Sequence, residues 1–578
     1  MSQLDGLIRA HIRTNTITIM AGNFLAPSLL SSLDMGKGMV DAMNRVGPHG
    51  IQLACLGNRE AYIPLDELSL RAQEFRGTLI SSNLPALAVE PALPPHHILE
   101  ISAGAHCRRI AFVGLVTLDA SLYQCDHCPA FGGALPAGRD PLAAFEAARR
   151  SLLEEHACDL VVPVTHQRLC DDKALAARLA ESPGGGVALI VGGHDLKPAV
   201  EAAGGGCLIA KSGANGRHAV IVDVSWQSRR TEGARPLVTA KLHAVAEHPR
   251  SARLDQAIAQ HHQVLRNADA VALFEVPPAF RPLSSEGVQQ RQATAGTLLA
   301  TLCRAALRCD AAALDASEVL DAQRYPDGVD RLTYGDLRRL VPHDAAVCVV
   351  RLPGAVLTAA VAHSRAQAPR PWLGFLQLDD AAEYDVAAGR LTRVGGAPLE
   401  ADREYRVAVL FHSLNGANRN QPLIDWANAH GAPHFSATLP LKYILVRAAR
   451  EQVLGRPSES SGAAGDSEAG ARDTVDREQV KDRLRRLVGD AAEVPDLMAG
   501  NLMSLVDPDN RGRLDRREFN NFVSFAEQLE AFRRNASECT LRIITVNDVY
   551  ELGNLPYLDG VIRWVSGRAA HACIHVRI

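Results

Sequence analysis

The stretch AGNFLAPSLLSSLDMGKGMVDAMNRVG, Ala21 to Gly47, decides the reading of this chain. Ahead of it lies Thr16 to Met20 (TITIM), a β-prone run that predicts a strand, and Gly22-Asn23 marks its end. Beyond it lies Ile51 to Cys55, a second strand candidate ending in Gly57-Asn58-Arg59-Glu60. The alternation continues through Ile110 to Val116, Leu160 to Val164, Val187 to Val191 and Cys207 to Ile209, with helical stretches between. Short strands alternating with helices predict an α/β fold in layers. Ligands in such sheets collect at the carboxyl ends of strands, where loops present side chains without breaking the ladder. Here those ends carry Gly22-Asn23, Gly57-Asn58, Thr165-His166-Gln167 and Gly192-Gly193-His194-Asp195.

Composition narrows the class. Of 578 residues, 47 % are hydrophobic and 22 % charged, and 61 Lys+Arg against 65 Asp+Glu give a net charge of −4. That balance supplies no field for nucleic acid or an anionic membrane, so neither is expected as a partner. Twelve cysteines are too few for a disulfide framework. No apolar run approaches the ~20 residues of a membrane-spanning helix. Asp5, Arg9 and Arg13 interrupt the place where a secretion signal keeps its apolar stretch, and the compartment stays open.

Residues 453–475 are Gly, Ser, Ala and acid with almost nothing to bury, which predicts a flexible linker. The expected units around it are a layered domain over 1–245, a connecting helix over 246–267 and a second α/β domain over 268–452. A helix-rich module follows over 476–537, and a final segment over 538–578. That segment holds Leu558-Asp559-Gly560-Val561-Ile562-Arg563, nearly a copy of Leu4-Asp5-Gly6-Leu7-Ile8-Arg9. It therefore reads as the start of a second copy of the first domain.

The order of the two Gly-Asn loops and the two His-bearing loops, with LGNRE after the opening stretch and ISSNL at Ile80 to Leu84, resembles the metallophosphoesterases, specifically the 5'-nucleotidase branch. The second domain adds Ser284 to Leu314, Tyr325 to Pro342 and the Gly374-Phe375-Leu376-Gln377 shape, which resemble the nucleotidase C-terminal domain. The resemblance implies two packed α/β domains and a hydrolase of nucleotides or other phosphate esters that works through two divalent ions such as Zn²⁺ or Mn²⁺. The metal ligands it carries over are Asn58, His166 and His194, and Phe375 would stack on a base. Each has a plainer reading: Asn58 shaping a tight turn, the imidazoles hydrogen-bonded in a fold without metals, Phe375 in the core.

The chain departs from that pattern. Asn23 stands where a bridging Asp is expected, Arg59 where the acid–base His is expected, and Leu196 where the second His of Gly-His-x-His is expected. An amide lacks the charge that holds two dications together, and a guanidinium donates no proton at neutral pH. In the second domain Leu320 takes the place of a phosphate-facing Arg, and Glu318 adds charge of the wrong sign. Activity is therefore expected to be weak or lost, and no residue is assigned a catalytic role. Leu541 to Val546 runs into Asn547-Asp548-Val549-Tyr550, which resembles the family's missing first motif. Either this strand folds back beside Ile17 and Ile51 and brings Asp548 to the metal ligands, or it belongs to a further repeat or another molecule.

DPDNRGRLDRRE, Asp507 to Glu518, resembles an EF-hand loop. Its Ca²⁺ ligands would be Asp507, Asp509, the Arg513 carbonyl, Asp515 and Glu518, with Gly512 at the sharp turn. A structural helix pair is the other reading. The competing function is then a non-catalytic, calcium-responsive binding protein on a phosphatase scaffold, with a protein partner or further repeats.

Overall fold

The computed structural model describes residues 1–103, 106–123, 128, 130, 137–182, 184–226, 235–343, 345–416 and 420–454, together with short strands at 474–476, 513–515 and 540–546. The chain opens on helix α1, Ser2–His11. Leu4, Leu7 and Ile8 recur at helical spacing and are buried, which fixes the face that α1 turns to the core.

Two six-stranded sheets follow. The first contains β1 (Thr16–Ala21), β2 (Leu53–Cys55) and β3 (Thr78–Ile80) in parallel. The second contains β4 (His96–Ala103), β5 (His106–Val116), β6 (Leu160–His166), β7 (Leu189–Gly192), β8 (Ala199–Ala203) and β9 (Cys207–Lys211), ordered β4-β5-β6-β7-β9-β8. The chain then returns to the first sheet as the antiparallel hairpin β10 (His218–Ser225) and β11 (Leu237–Ala244). Ile17, Ile19 and Leu53 of one sheet pack against Phe112, Val162 and Val191 of the other in a shared apolar core. Helices Pro141–Glu154 and Leu169–Glu181 cover the far face of the second sheet.

The first sheet is completed from the far end of the chain. Strand Thr540–Val546 inserts between β1 and β10, parallel to β1 (Ile17↔Ile543, Met20↔Val546) and antiparallel to β10 (Val222↔Ile543). The sequence left two readings open for this strand, and in the fold it lies beside Ile17, inside the first sheet. Ile543 joins the core between the sheets, while Ile544 and Val546 join the core on the opposite face. A strand buried on both faces reads as a near-continuous apolar run, and IITV is apolar but for the buried Thr545.

The connecting helix runs over Ala252–Asn267, and its His261 bonds Asp41 at 2.9 Å. The second unit is built on a mixed five-stranded sheet ordered Leu376–Leu378, Ala311–Asp315, Glu404–Leu410, Ala346–Pro353 and Leu439–Pro440. It packs directly on the first: Arg447 donates to Tyr62 O at 2.6 Å and Arg450 to Glu67 at 3.1 Å. Beyond residue 454, Thr474–Asp476 pairs with Arg513–Asp515. Of the predicted calcium ligands, Arg513 and Asp515 lie on that short strand, while Asp507, Asp509 and Glu518 lie outside the described residues, as does Asp548.

Candidate functional site

The carboxyl ends of β1, β2, β6 and β7 meet, and one carboxylate ties two of their loops together. Glu60, buried, accepts from the backbone N–H groups of Gly57 (2.7 Å), Asn23 (2.9 Å), Phe24 (2.8 Å) and Leu25 (3.1 Å). Burial raises its pKa, opposed by those same four donors. Asn23 adopts a left-handed φ of 55° and its Oδ1 accepts from Arg59 N at 2.9 Å. The loops approach too closely for side chains at Gly22, Gly57 and Gly193. A Cβ on Gly57 would stand 2.2 Å from Asn23 Oδ1, and one on Gly193 2.0 Å from Ala21 O.

His166 ends β6 and is fully buried. Its Nδ1 lies 2.6 Å from Ala21 O, and since a carbonyl only accepts, Nδ1 carries the proton and Nε2 keeps its lone pair. Burial lowers this imidazole to about 3, against the pull of the Ala21 bond. His194, at φ 78°, stands perpendicular to it with ring centroids 5.2 Å apart. Burial lowers it in the same direction, helped by His166, Lys211, His434 and Arg59. Both rings are therefore neutral at physiological pH. The sequence-predicted trio is only partly convergent. The imidazoles meet, while the Asn58 oxygen faces the Asn23 amide at 3.2 Å and its nitrogen donates to Leu122 O at 2.6 Å.

Behind the imidazoles sits an ion cluster that sequence reasoning missed. Lys211 has no exposed side-chain surface, and its Nζ lies 2.7 Å from Asp172, Asp195, Gln167 O and Gly193 O. Its ammonium is held above the ordinary value; burial opposes this, and the two carboxylates outweigh burial. A lysine in a strand carries no sequence signal for burial, because the partners that neutralise it are remote in sequence.

The second unit closes the cleft. Ser436 Oγ lies 3.3 Å from His194 Nε2, His434 stacks on His194 at 5.6 Å, and the buried Arg59 donates to Phe435 O at 3.4 Å. This loop, too, went unread in the sequence. Phe375, read from sequence either as a base-stacking ring or as core, is 3 % exposed with the Arg365 guanidinium 4.0 Å over its ring, as the core reading has it. In the second unit, buried Asp315 accepts from Ser413 and lies 3.5 Å from His412. Asp315 and Glu318 raise the His412 pKa although burial opposes them.

The residues near His166 and His194 do not fit a two-metal centre. Among the described residues, each carboxylate near the imidazoles is engaged elsewhere: Glu60 by backbone, Asp172 and Asp195 by Lys211. The Asn58 oxygen faces an amide donor, and a guanidinium stands beside the imidazoles. Two dications held side by side need bridging anionic donors to offset their mutual repulsion, and the described residues here do not offer them.

Residues 270–423 match the family described as the 5'-nucleotidase, C-terminal domain. No curated relative matches the chain. Among solved structures, the chain is similar to the NAD nucleotidase of Haemophilus influenzae, with 13 % identity over 78 % of this chain and 90 % of that one, TM-score 0.59. It is also similar to a 5'-nucleotidase precursor of Thermus thermophilus, with 18 % identity over 78 % and 90 %, TM-score 0.44. A putative 5'-nucleotidase of Staphylococcus aureus gives 13 % over 77 % and 90 %, TM-score 0.46. The chain thus carries a 5'-nucleotidase C-terminal domain at residues 270–423, within a mixed α/β fold like that of the Haemophilus protein.

Proposed function

We propose that the cleft between the two units binds nucleotide-type phosphate esters and that hydrolysis there is weak or lost. The observation that carries this is the donor set: a buried guanidinium, Arg59, beside two neutral imidazoles, with the nearby carboxylates engaged. A fixed cation beside two neutral imidazoles suits a phosphate dianion better than it suits two dications. Arginine also leaves the site without a general acid, whose contribution is about 10²–10⁴-fold in rate. Titration calorimetry with a nucleoside monophosphate in chelator, beside phosphate release under added Mn²⁺ or Zn²⁺, tests the reading. Binding that survives chelation, with little or no metal-stimulated turnover, supports it. Two tightly held metals per chain and brisk turnover sink it.

One observation favours a second reading, a single-metal site. The strand Thr540–Val546 runs parallel to β1 and ends with Val546 beside Met20, two residues before Asp548 in sequence. Asp548 would then join His166 and His194 as the missing anionic donor, and Asp548→Asn would lower metal content while leaving chelator-resistant ester binding intact. Calcium binding at residues 507–518 is a separate proposal, tested by Ca²⁺ titration of the full chain against Glu518→Gln.

A further inference from the structure

Away from the cleft, three imidazoles converge from three separate stretches of chain. His11 is the last residue of α1, His243 lies on β11, and His248 follows the short turn Val245–Glu247. Each offers one ring nitrogen, and the three nitrogens lie within 4.8 Å of one another. The ring centroids of His11 are 4.7 Å from His243 and 5.6 Å from His248. All three residues are half-buried.

We propose that His11, His243 and His248 bind one borderline divalent transition-metal ion, Zn²⁺ first among them, with water as the fourth ligand. Zinc takes imidazole nitrogens at ~2.0–2.1 Å, so a tetrahedral site needs nitrogens roughly 3.4 Å apart. The proposed site draws the three nitrogens, now within 4.8 Å of one another, in to that spacing. Neutral imidazole without carboxylate selects Zn²⁺, Cu²⁺ or Ni²⁺ over Mg²⁺ or Ca²⁺.

The backbone holds the donors in register. Ser2 Oγ donates to Ser251 O at 3.1 Å and accepts from Ser251 N at 2.8 Å, and Gln3 donates to Ala246 O at 3.0 Å. Gly6 lets α1 approach the segment that carries His248, since a Cβ there would stand 2.2 Å from Pro249 O. His243 is fixed by its pairing with Ala219 on β10. The carboxyl end of α1 adds a partial negative charge beside His11.

The surrounding charges are mixed. Arg13, Lys241 and Arg542 oppose a cation, while Glu247 favours one beside His243. Arg542 is largely neutralised, because both carboxylate oxygens of Asp223 accept from it at 2.7 Å. An ion here would tie α1, the β10–β11 hairpin and the 245–251 segment together.

The test counts metal on the full chain after chelator stripping, by equilibrium dialysis against Zn²⁺ and by the spectra of bound Co²⁺ and Cu²⁺. The wild type is expected to hold one Zn²⁺ that His166→Ala does not remove, which separates this site from the cleft. His243→Ala and His11→Ala, with unchanged circular dichroism, are each expected to weaken that ion by about 10–100-fold or more. Cu²⁺ resonance should show nitrogen coupling from three imidazoles that His243→Ala reduces by one. Unchanged stoichiometry and affinity in both variants overturn the proposal. So does a wild type whose bound metal is lost entirely with His166→Ala.

Discussion

Arg542 donates to both carboxylate oxygens of Asp223, at 2.7 Å each, across the antiparallel pairing that seats Thr540–Val546 against β10. A third donation, to His11 O at 2.9 Å, ties the same guanidinium to the end of α1. The forked pair is mostly buried on the arginine side, 7 % exposed, so it is more than a surface ion pair. Arg542→Ala is expected to lower unfolding stability by about 1–3 kcal/mol, with Arg542→Lys intermediate. Urea denaturation of the three proteins checks it. Equal midpoints would show that the strand is held by apolar burial alone.

Lys211 and Asp172 are both without exposed side-chain surface, which makes their charges mutually dependent. Lys211→Met strands the Asp172 carboxylate and is expected to cost about 3–5 kcal/mol. Adding Asp172→Leu to that variant should return part of the loss. A double variant no more stable than Lys211→Met would mean that packing, not the orphaned charge, sets the cost.

Acid should loosen the cleft through His166. Its folded pKa, about 3, lies below the ordinary imidazole value of 6.5, so the unfolded chain binds more protons between those limits. Stability therefore falls as pH drops from about 6.5 towards 3, by roughly 1.4 kcal/mol per pH unit from this group. His194 is shifted in the same direction and adds to the slope. Denaturation of wild type and His166→Gln at several pH values checks this. The stability gap between them should change with acidification by that slope, and a constant gap contradicts it.

What the sequence made legible follows from range. Thr16–Ala21 and Leu160–His166 were visible because β-branched runs state their own burial. The meeting of His166 and His194 followed from loop order at strand ends, a property of the fold class. Lys211 was invisible because its burial depends on Asp172 and Asp195, which only the folded chain brings to it. Phe375 stood open between base stacking and core because Gly-Phe-x-Gln states a local shape and not which side of the sheet the ring takes. The insertion of Thr540–Val546 stood open as one of two readings, since strand character is local and the choice of neighbours is not.

Gly193 offers the sharpest steric test of the cleft. An added Cβ would fall 2.0 Å from Ala21 O and 2.8 Å from His166 Nδ1, both fixed by the hydrogen bond between them. Neither atom is the far end of a flexible chain, so the β1 and β7 loops must separate to admit a methyl group. Gly193→Ala is expected to cost about 2–3 kcal/mol and to weaken nucleotide binding with it. Gly184→Ala meets Arg149 Nη1 at 3.1 Å, the tip of a side chain with room to move, and should stay within about 1 kcal/mol. Thermal unfolding of the two variants beside wild type decides the matter: equal losses would mean that the loops yield freely and that the close approach of β1 and β7 does not hold the imidazoles in place.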